Sequence, residues 1–482
     1  MNIGIIFYFL GWVLNIEAVL MLLPCAVALI YGDGQLKFFL MVMAMCLVIG
    51  WATTHRRPKN TVFYAREGFV AVALIWVVLS FFGALPFWIS GQIPSLADAL
   101  FETISGFTTT GASILDNVEG LSQSMLMWRS FTHWVGGMGV LVFMLAILPL
   151  AGGGYAMHIM RAESPGPSVG KLTPKIKTTA KILYLIYLVM TLIQVILLLA
   201  GGMPLFDSLA TSFGTAGTGG FGIKNSSIAY YDSYYLQGVV TVFMILFGVN
   251  FNVYYLISVK RFKDAFACEE ARTYLGIVAV TVALITLNIR GSFANVFQAF
   301  HHAAFQVGSI ITTTGFSTVD FDLWPQFSKT ILIGLMFVGA CAGSTGGGMK
   351  VSRIIIWLKS VRNELLALVH PRSVRVLRLE KKSQDAGVIR SVNNYFIAYF
   401  FIFAASVLVV SLDNLDFTSC FTAVAATFNN IGPGMGAVGP TCNFSQLSDL
   451  SKFVLMFDML AGRLEIFPML ILFSPATWRK GW

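Results

Sequence analysis

Four short stretches of this chain end in glycine and resemble one another, three of them with threonine and the fourth with asparagine, in a pattern that suits the binding of a small cation. Each stretch ends a short apolar segment, and the final glycines lie 109, 95 and 117 residues apart. Backbone carbonyl oxygens presented by such residues can replace the water shell of an ion. Four copies predict four loops around one axis. These threonine–glycine stretches read FTTTG at 107–111, AGTGG at 216–220, ITTTG at 311–315 and FNNIG at 428–432.

The composition indicates that the stretches belong to a membrane protein. The chain has 482 residues, of which 56% are hydrophobic and only 11% are charged, against roughly 25% charged in a soluble domain. Apolar runs of about 20 residues recur, long enough for helices to cross a bilayer. Alternating segments typical of a membrane barrel are absent from the sequence. The first run carries Glu17 and lacks a basic leader and a cleavage site, so we expect a retained helix.

The net charge of +9 comes from basic residues that cluster in alternate loops. This positive-inside pattern predicts that both termini are cytoplasmic. It also predicts contact with membrane lipid rather than nucleic acid. The six cysteines show no ligand spacing and are expected to be inert. The basic clusters lie at 55–66, 171–181, 260–272, 372–390 and 479–480.

The order of the apolar segments predicts four units that follow two N-terminal transmembrane helices. Each unit has a long helix, a half-length segment that carries one threonine–glycine stretch, and a long return helix. Half-length segments are more often re-entrant than spanning, and their C-terminal ends favour a cation. The predicted divisions are 1–60, then units at 61–170, 171–265, 266–385 and 386–482. The half-length segments are predicted at 95–107, 205–215, 293–311 and 417–428, and the return helices at 125–150, 234–259, from 330 and from 453.

A glycine-rich run interrupts the third return helix. Five glycines fall within the ten residues 339–348, and each costs a helix about 1 kcal/mol relative to alanine. Two hypotheses stay open: a flexible gate, which we favour, and a close-packing kink between helices. A phosphate cradle is not favoured, because the run lacks the GxxxxGK[ST] spacing.

Three charged or polar side chains stand out in the apolar helices. Arg463 lies in the last helix, where placing a charged side chain at bilayer depth costs free energy. It is either a cation facing the pore or a structural partner of Asp458 or Glu465. Arg129 and His133 lie four residues apart and are expected to form a buried hydrogen-bonded pair.

These motifs together resemble the Trk/Ktr/HKT potassium transporter superfamily, and within it the bacterial membrane subunits of the Trk system. The resemblance rests on the four stretches and covers essentially the whole chain. It also rests on the motifs at 128–139, 343–350 and 461–465. It implies an all-α polytopic membrane protein with four M1-P-M2 repeats around a central pore, assembled as a homodimer. It further implies K⁺ as the transported ion, no organic cofactor in this chain, and a cytosolic nucleotide-binding regulatory subunit, TrkA.

The resemblance also assigns residues to a potassium filter and a gate. Gly111 favours potassium, since serine at this position is similar to sodium-permeable plant members. The fourth stretch departs from the pattern, so the ring is not symmetric in its chemistry. The filter residues are Thr109, Thr110, Gly111, Thr218, Gly219, Gly220, Thr313, Thr314, Gly315, Asn430, Ile431 and Gly432. The gate comprises residues 339–350, here called the glycine loop, with Gly343, Gly346, Gly347, Gly348 and Lys350, together with Arg463.

The predicted function is potassium uptake across the bacterial inner membrane through a selective pore gated by a cytosolic subunit. The alternative is a secondary transporter coupled to protons or sodium, for which Glu102 and Asp98 are candidate carboxylates. A membrane enzyme is not favoured, because the six histidines show no metal spacing and neither GxSxG nor HExxH occurs. The basic segments 171–181 and 372–390 are expected to dock the regulatory subunit, with contact to anionic lipid as the alternative.

Overall fold

The computed structural model describes residues 1–56, 58, 64–137, 176–372, 376–380 and 382–479. This part of the chain is almost entirely helical, which confirms the predicted fold class. A two-residue antiparallel ribbon, β1 (Arg378–Leu379) with β2 (Lys382–Ser383), is its β structure. The described N-terminal helices are α1 (Ile3–Leu20), α2 (Leu22–Tyr31) and α3 (Leu36–Thr54).

The described helices that follow α3 are grouped by the four predicted units. The first has α4 (Ala65–Ile89), α5 (Leu96–Phe107) and α6, which is described over 123–137. The second has α7 (Ile176–Ala200), α8 (Leu205–Ala216), α9 (Tyr234–Phe247), α10 (Phe251–Ser258) and the short α11 (Phe262–Ala267). The third has α12 (Glu269–Ile289), α13 (Val296–Ile311), α14 (Gln326–Val338) and α15 (Val351–Val369). The fourth has α16 (Ala386–Val410), α17 (Phe417–Phe428), α18 (Asp449–Arg463), α19 (Phe467–Phe473) and α20 (Pro475–Trp478).

The half-length segments are confirmed as helices that are too short to span. α5, α8 and α17 have 12 residues and α13 has 16. Three of these helices have a side-chain N-cap. Ser95 accepts a hydrogen bond from the Asp98 amide, Asn295 from the Gln298 amide and Asp416 from the Ser419 amide. Hydrogen bonds from Ser419 lower the pKa of Asp416 below its ordinary value, the hydroxyl contributing most.

The helices of neighbouring units interlock in a circle. Each half-length helix packs on the outer helix of its own unit, as α4 does on α5 and α16 on α17. Return helices reach the next unit: α9 packs on α13, α14 on α17, and α18 on α5. The last of these contacts joins the fourth unit to the first, so the arrangement closes.

Two predicted return helices are wrong as continuous spans. In the second, α9 and α10 meet at a bend of 92°. In the fourth, α18 ends at Arg463, and Glu465 and Ile466 take left-handed φ values of 60° and 68°. Among the described residues, six segments are long and apolar enough to cross a membrane, with a seventh if the bent pair is one span. The predicted 125–150 helix lies outside the described residues beyond 137.

The bend between α9 and α10 has a structural reason. Asn250 caps α10 by accepting from the Asn252 amide at 2.9 Å. The freed carbonyl of Gly248 accepts from the Cys341 amide of the glycine loop at 3.0 Å. The break therefore supplies backbone partners for a non-helical segment, which buried backbone groups require.

Candidate ion-binding site

The four threonine–glycine stretches share one backbone conformation. Each has a non-glycine residue with left-handed φ, followed two residues later by a glycine with positive φ. Few L-residues adopt this conformation, so its occurrence at all four equivalent positions is evidence of a structural repeat. The first set is Thr109 (55°), Thr218 (52°), Thr313 (58°) and Asn430 (56°), and the second is Gly111 (83°), Gly220 (75°), Gly315 (85°) and Gly432 (102°).

The stretches also share their hydrogen bonds. Each left-handed residue donates its amide to the carbonyl three residues before it, and the next residue donates to the carbonyl five residues before its own position. Thr110 thus donates to Ser105 and Ile431 to Ala426, both at 2.8 Å. These bonds satisfy the carbonyls left free at a helix end. The fourth stretch therefore departs from the others in sequence but not in backbone.

The final glycines close the four stretches into a ring. A Cβ on Gly111 would collide with the carbonyl oxygen of Gly219 in the second stretch. In the same way Gly220 faces the Thr314 oxygen, and Gly315 faces the Ile431 oxygen. Each glycine thus permits the next stretch to approach its backbone closely.

The fourth corner of the ring is looser than the other three. A Cβ on Gly432 would lie 2.8 Å from the Thr110 oxygen, further than at the other corners. A side chain spans this corner instead, because Asn430 Nδ2 donates to Thr110 Oγ1 at 2.9 Å. The asparagine that replaces threonine here therefore joins the fourth stretch to the first.

A cavity lies at one side of the ring, and the ring itself contains oxygen atoms that accept no hydrogen bond from the described part of the chain. A cavity of about 190 Å³ is lined by all four final glycines and by the segments that follow them. The buried Thr109 Oγ1 and Asn430 Oδ1 have no hydrogen-bond partner among the described residues. Oxygens of this kind are the ligands that hard cations take in proteins.

The glycine loop lies against the opposite face of the ring. Its non-helical conformation is as predicted. The Gly347 amide donates to Thr313 Oγ1 at 2.6 Å, and a Cβ on Gly346 would lie 3.0 Å from the Thr312 oxygen. Within the loop, buried Lys350 donates from Nζ to the Gly346 carbonyl. The loop thus contacts the first residues of the stretches, whereas the cavity contacts their last residues.

Arg463 connects the fourth return helix to this loop. Its guanidinium donates to the Thr345 carbonyl at 2.9 Å and to the Gly136 carbonyl on α6 at 2.7 Å. The two carboxylates considered as its partners have other contacts. Glu465 pairs with Arg353, and Asp458 accepts from Ser406 Oγ at 2.9 Å. Of the two hypotheses for Arg463, these contacts favour a role at the loop over a structural pair with Asp458 or Glu465.

Arg129 and His133 do not pair with each other as expected but enclose a residue beside the ring. Phe221 follows the second stretch, and its ring lies 3.6 Å from the Arg129 guanidinium carbon and 4.1 Å from the His133 ring. The Phe221 amide donates to His133 Nδ1 at 3.4 Å. Both side chains therefore fix the end of the second stretch.

A buried ion pair, which the sequence interpretation missed, ties two of the stretches together. Arg129 Nε lies 2.6 Å from Glu102 Oε1, and Arg129 Nη1 donates to the Gly222 carbonyl at 2.7 Å. Glu102 also accepts from the Ser113 hydroxyl and the Ile114 amide, each at 3.0 Å. This Glu102–Arg129 clamp thus holds the segments after the first and second stretches. Opposite charges in two apolar segments were a usable signal, since buried charges are nearly always paired.

We expect Glu102→Gln to loosen the ring and destabilise the protein. The Arg129 charge would stay buried without its carboxylate, a loss of about 3–5 kcal/mol. The thermal unfolding temperature in detergent should fall, and so should the ratio of potassium uptake to sodium uptake. Asp264→Asn is the matched control, because its ion pair with Arg261 at 2.8 Å is exposed on both sides. Equal effects of the two variants would contradict the clamp.

The fold defines a class: a polytopic helical membrane protein. The profile of the TrkH family, described as cation transport protein, matches residues 35–480. The chain therefore belongs to the TrkH family, which comprises transporters and not enzymes.

Alignments with similar proteins extend over almost the whole chain. The Trk system potassium uptake protein TrkH of Salmonella typhimurium is 39% identical, over 95% of this chain and 96% of its own length. The Trk system potassium uptake protein TrkG of Escherichia coli is 33% identical, over 99% of each chain. The crystal structure of the potassium transporter TrkH from Vibrio parahaemolyticus superposes with a TM-score of 0.89 at 36% identity, covering 99% of this chain and 100% of that one.

Proposed function

We propose that this protein takes up potassium across the bacterial inner membrane through a selective, channel-like pore. The closed ring of four equivalent stretches, between an outer cavity and the glycine loop, carries this proposal. The names of the TrkH and TrkG relatives support potassium as the ion. An ion enters the cavity, loses water, and is coordinated by backbone oxygens of the ring. An inside-negative potential contributes about 2.3 kcal/mol per charge per 100 mV.

The gate of this pore is proposed to be the glycine loop together with Arg463. The loop lies directly beneath the ring, and five glycines give it little torsional restraint. Arg463 stays charged at any physiological pH, so it repels a cation while its donors hold the Thr345 carbonyl. The closed arrangement therefore combines a steric and an electrostatic barrier.

The coupled-transport alternative is less well supported by the contacts. It needs a carboxylate that exchanges protons or sodium during transport. Glu102 is engaged by Arg129 and Asp98 by Lys452. Because both carboxylates are held in ion pairs, these contacts favour passive flow of the ion down its electrochemical gradient.

We further propose a homodimer with cytoplasmic termini and a cytosolic nucleotide-binding regulatory subunit. The ribbon β1–β2 falls within the basic segment 372–390 and is a candidate docking surface. Residues 171–175 of the other basic segment lie outside the described residues. Potassium and sodium uptake into proteoliposomes, with and without the cytosolic subunit, tests this function. Uptake of both ions at equal rates would overturn it.

Cys442 provides a direct probe of the outer cavity. It lines the cavity and is exposed, whereas Cys25, Cys46, Cys341 and Cys420 are buried. A cationic thiol reagent added from outside should reduce potassium uptake severalfold, because the attached charge repels the entering ion. Cys442→Ser should be insensitive to the reagent. Modified protein with full uptake would show that ions do not pass through this cavity.

A further inference from the structure

One carboxylate outside the ring holds both ends of the glycine loop. Glu270, in the first turn of α12, is 5% exposed. Its Oε1 accepts from the Ala342 amide at 2.7 Å and from the Ser352 amide at 3.1 Å. Ala342 lies near the start of the loop, and Ser352 is the second residue of α15. The carboxylate therefore bridges the two points where the loop joins the rest of the third unit.

The bonds around Glu270 form the neck of the loop. The Val351 amide donates to the Ala340 carbonyl at 3.1 Å and closes the same neck. The second carboxylate oxygen, Oε2, lies 3.4 Å from the Nδ2 donor of Asn250, at the bend between α9 and α10. Hydrogen bonds to an ionised acceptor are stronger than neutral ones. A loop with so many glycines needs such anchors to hold one arrangement.

The cytoplasmic ribbon reaches the helix end that carries Glu270. Cys268, the N-cap of α12, makes no side-chain capping bond. Instead Glu380, at the turn of the ribbon, accepts from the Glu270 amide at 3.1 Å and from the Cys268 thiol at 3.3 Å. A carboxylate here suits the positive end of the helix dipole.

Further bonds fix the ribbon to this same turn. The Glu380 amide donates to Glu269 Oε2 at 3.4 Å. Lys359 of α15 bonds both Glu269 and the Arg378 carbonyl. The ribbon, the start of α12 and α15 are thus joined through a few named contacts.

We propose that Glu270 is a positioning residue for the gate: it latches the closed glycine loop at its neck, and Glu380 of the cytoplasmic ribbon sets the position of the latch. This inference rests on the proposed gating function. Arg463 holds the loop at Thr345, and Glu270 holds it at its two ends, so the two anchors act at different points. A partner that displaces the ribbon removes the cap from α12 and shifts the latch.

The test is potassium flux through the full chain in proteoliposomes without a cytosolic subunit. Glu270→Ala should raise this flux by roughly tenfold, the shift expected when buried charge-assisted hydrogen bonds are lost. The potassium-to-sodium ratio should stay unchanged. Glu270→Gln retains an amide oxygen that accepts the same donors and should give an intermediate rise. Glu364→Ala, which removes an exposed carboxylate of α15, is the matched control and should behave as the parent.

The outcomes separate the latch from the gate. Parent-like flux in both Glu270 variants, with raised flux in Arg463→Ala, overturns the latch but keeps the gate. Parent-like flux in all three overturns both. If Glu270→Ala does not fold, the Glu270→Gln flux decides, because unfolded protein cannot produce a selective increase. Glu380→Ala should raise the flux less than Glu270→Ala, and no rise removes the ribbon from the proposal.

Discussion

Replacing Gly111 by serine is expected to reduce the preference for potassium over sodium by at least about tenfold, equivalent to a loss of ~1.4 kcal/mol of discrimination. Two features of the site set the size of this effect. Gly111 has φ of 83°, which L-residues rarely adopt. Its Cβ would also collide with the Gly219 carbonyl, so the serine must displace the neighbouring stretch. If the oxygens of the ring coordinate the ion together, as proposed, the displacement changes the fit for potassium.

Two matched variants make this experiment specific. Gly334→Ser, on α14, places a side chain in open space at an ordinary φ and should leave the ion preference unchanged. Gly432→Ser, at the looser corner, should have a smaller effect than Gly111→Ser, since its Cβ would lie 2.8 Å from the nearest oxygen. Relative sodium and potassium uptake in proteoliposomes is the measurement. An unchanged ratio in Gly111→Ser would show that this stretch is not part of the filter.

Arg463→Ala is expected to raise potassium flux in the absence of a regulatory subunit by one to two orders of magnitude. The variant removes a permanent charge from beneath the ring and the donors that hold the Thr345 and Gly136 carbonyls. Arg463 is partly buried, and a charge of this kind beside the proposed ion path raises the barrier to a cation, since each ~1.4 kcal/mol is tenfold in rate. Dependence on the subunit should fall at the same time.

Two comparisons distinguish gating from structure for Arg463. Shortening the loop within 343–348 should also raise the flux without changing ion preference, because the proposed filter is the separate ring. Arg463→Lys keeps the charge but not the two-carbonyl geometry and should give an intermediate flux. If Arg463→Ala is instead unstable and shows no rise in flux, a structural role is correct and the gate proposal fails.

The sequence was sufficient to predict the elements that repeat. The half-length helices and the glycine loop follow from residue types, because serine, asparagine and aspartate start helices and several glycines end them. α17 matches its predicted bounds at Phe417–Phe428. The sequence pattern also located the four final glycines, at which neighbouring stretches approach one another.

Tertiary contacts decided what the sequence could not predict. The bend after Phe247 depends on Cys341 and Gly343, which are nearly a hundred residues away and bond the carbonyl and amide at the break. The partners of Arg129 were mispredicted for the same reason. His133 lies on the same helix face, but Glu102 lies on another helix and offers a charge. The spacing of residues along the sequence identifies side chains that are neighbours on one helix, but it does not identify contacts between two helices.

The reversal potential of the ion current through the purified protein tests the central claim most directly. Proteoliposomes with a potassium gradient should give a current that reverses at the potassium equilibrium potential, at every pH and sodium concentration applied. This result is expected because, in the proposed pore, backbone oxygens that carry no titratable proton coordinate the ion. A reversal potential that moves with the proton or sodium gradient would contradict a passive pore and establish coupled transport.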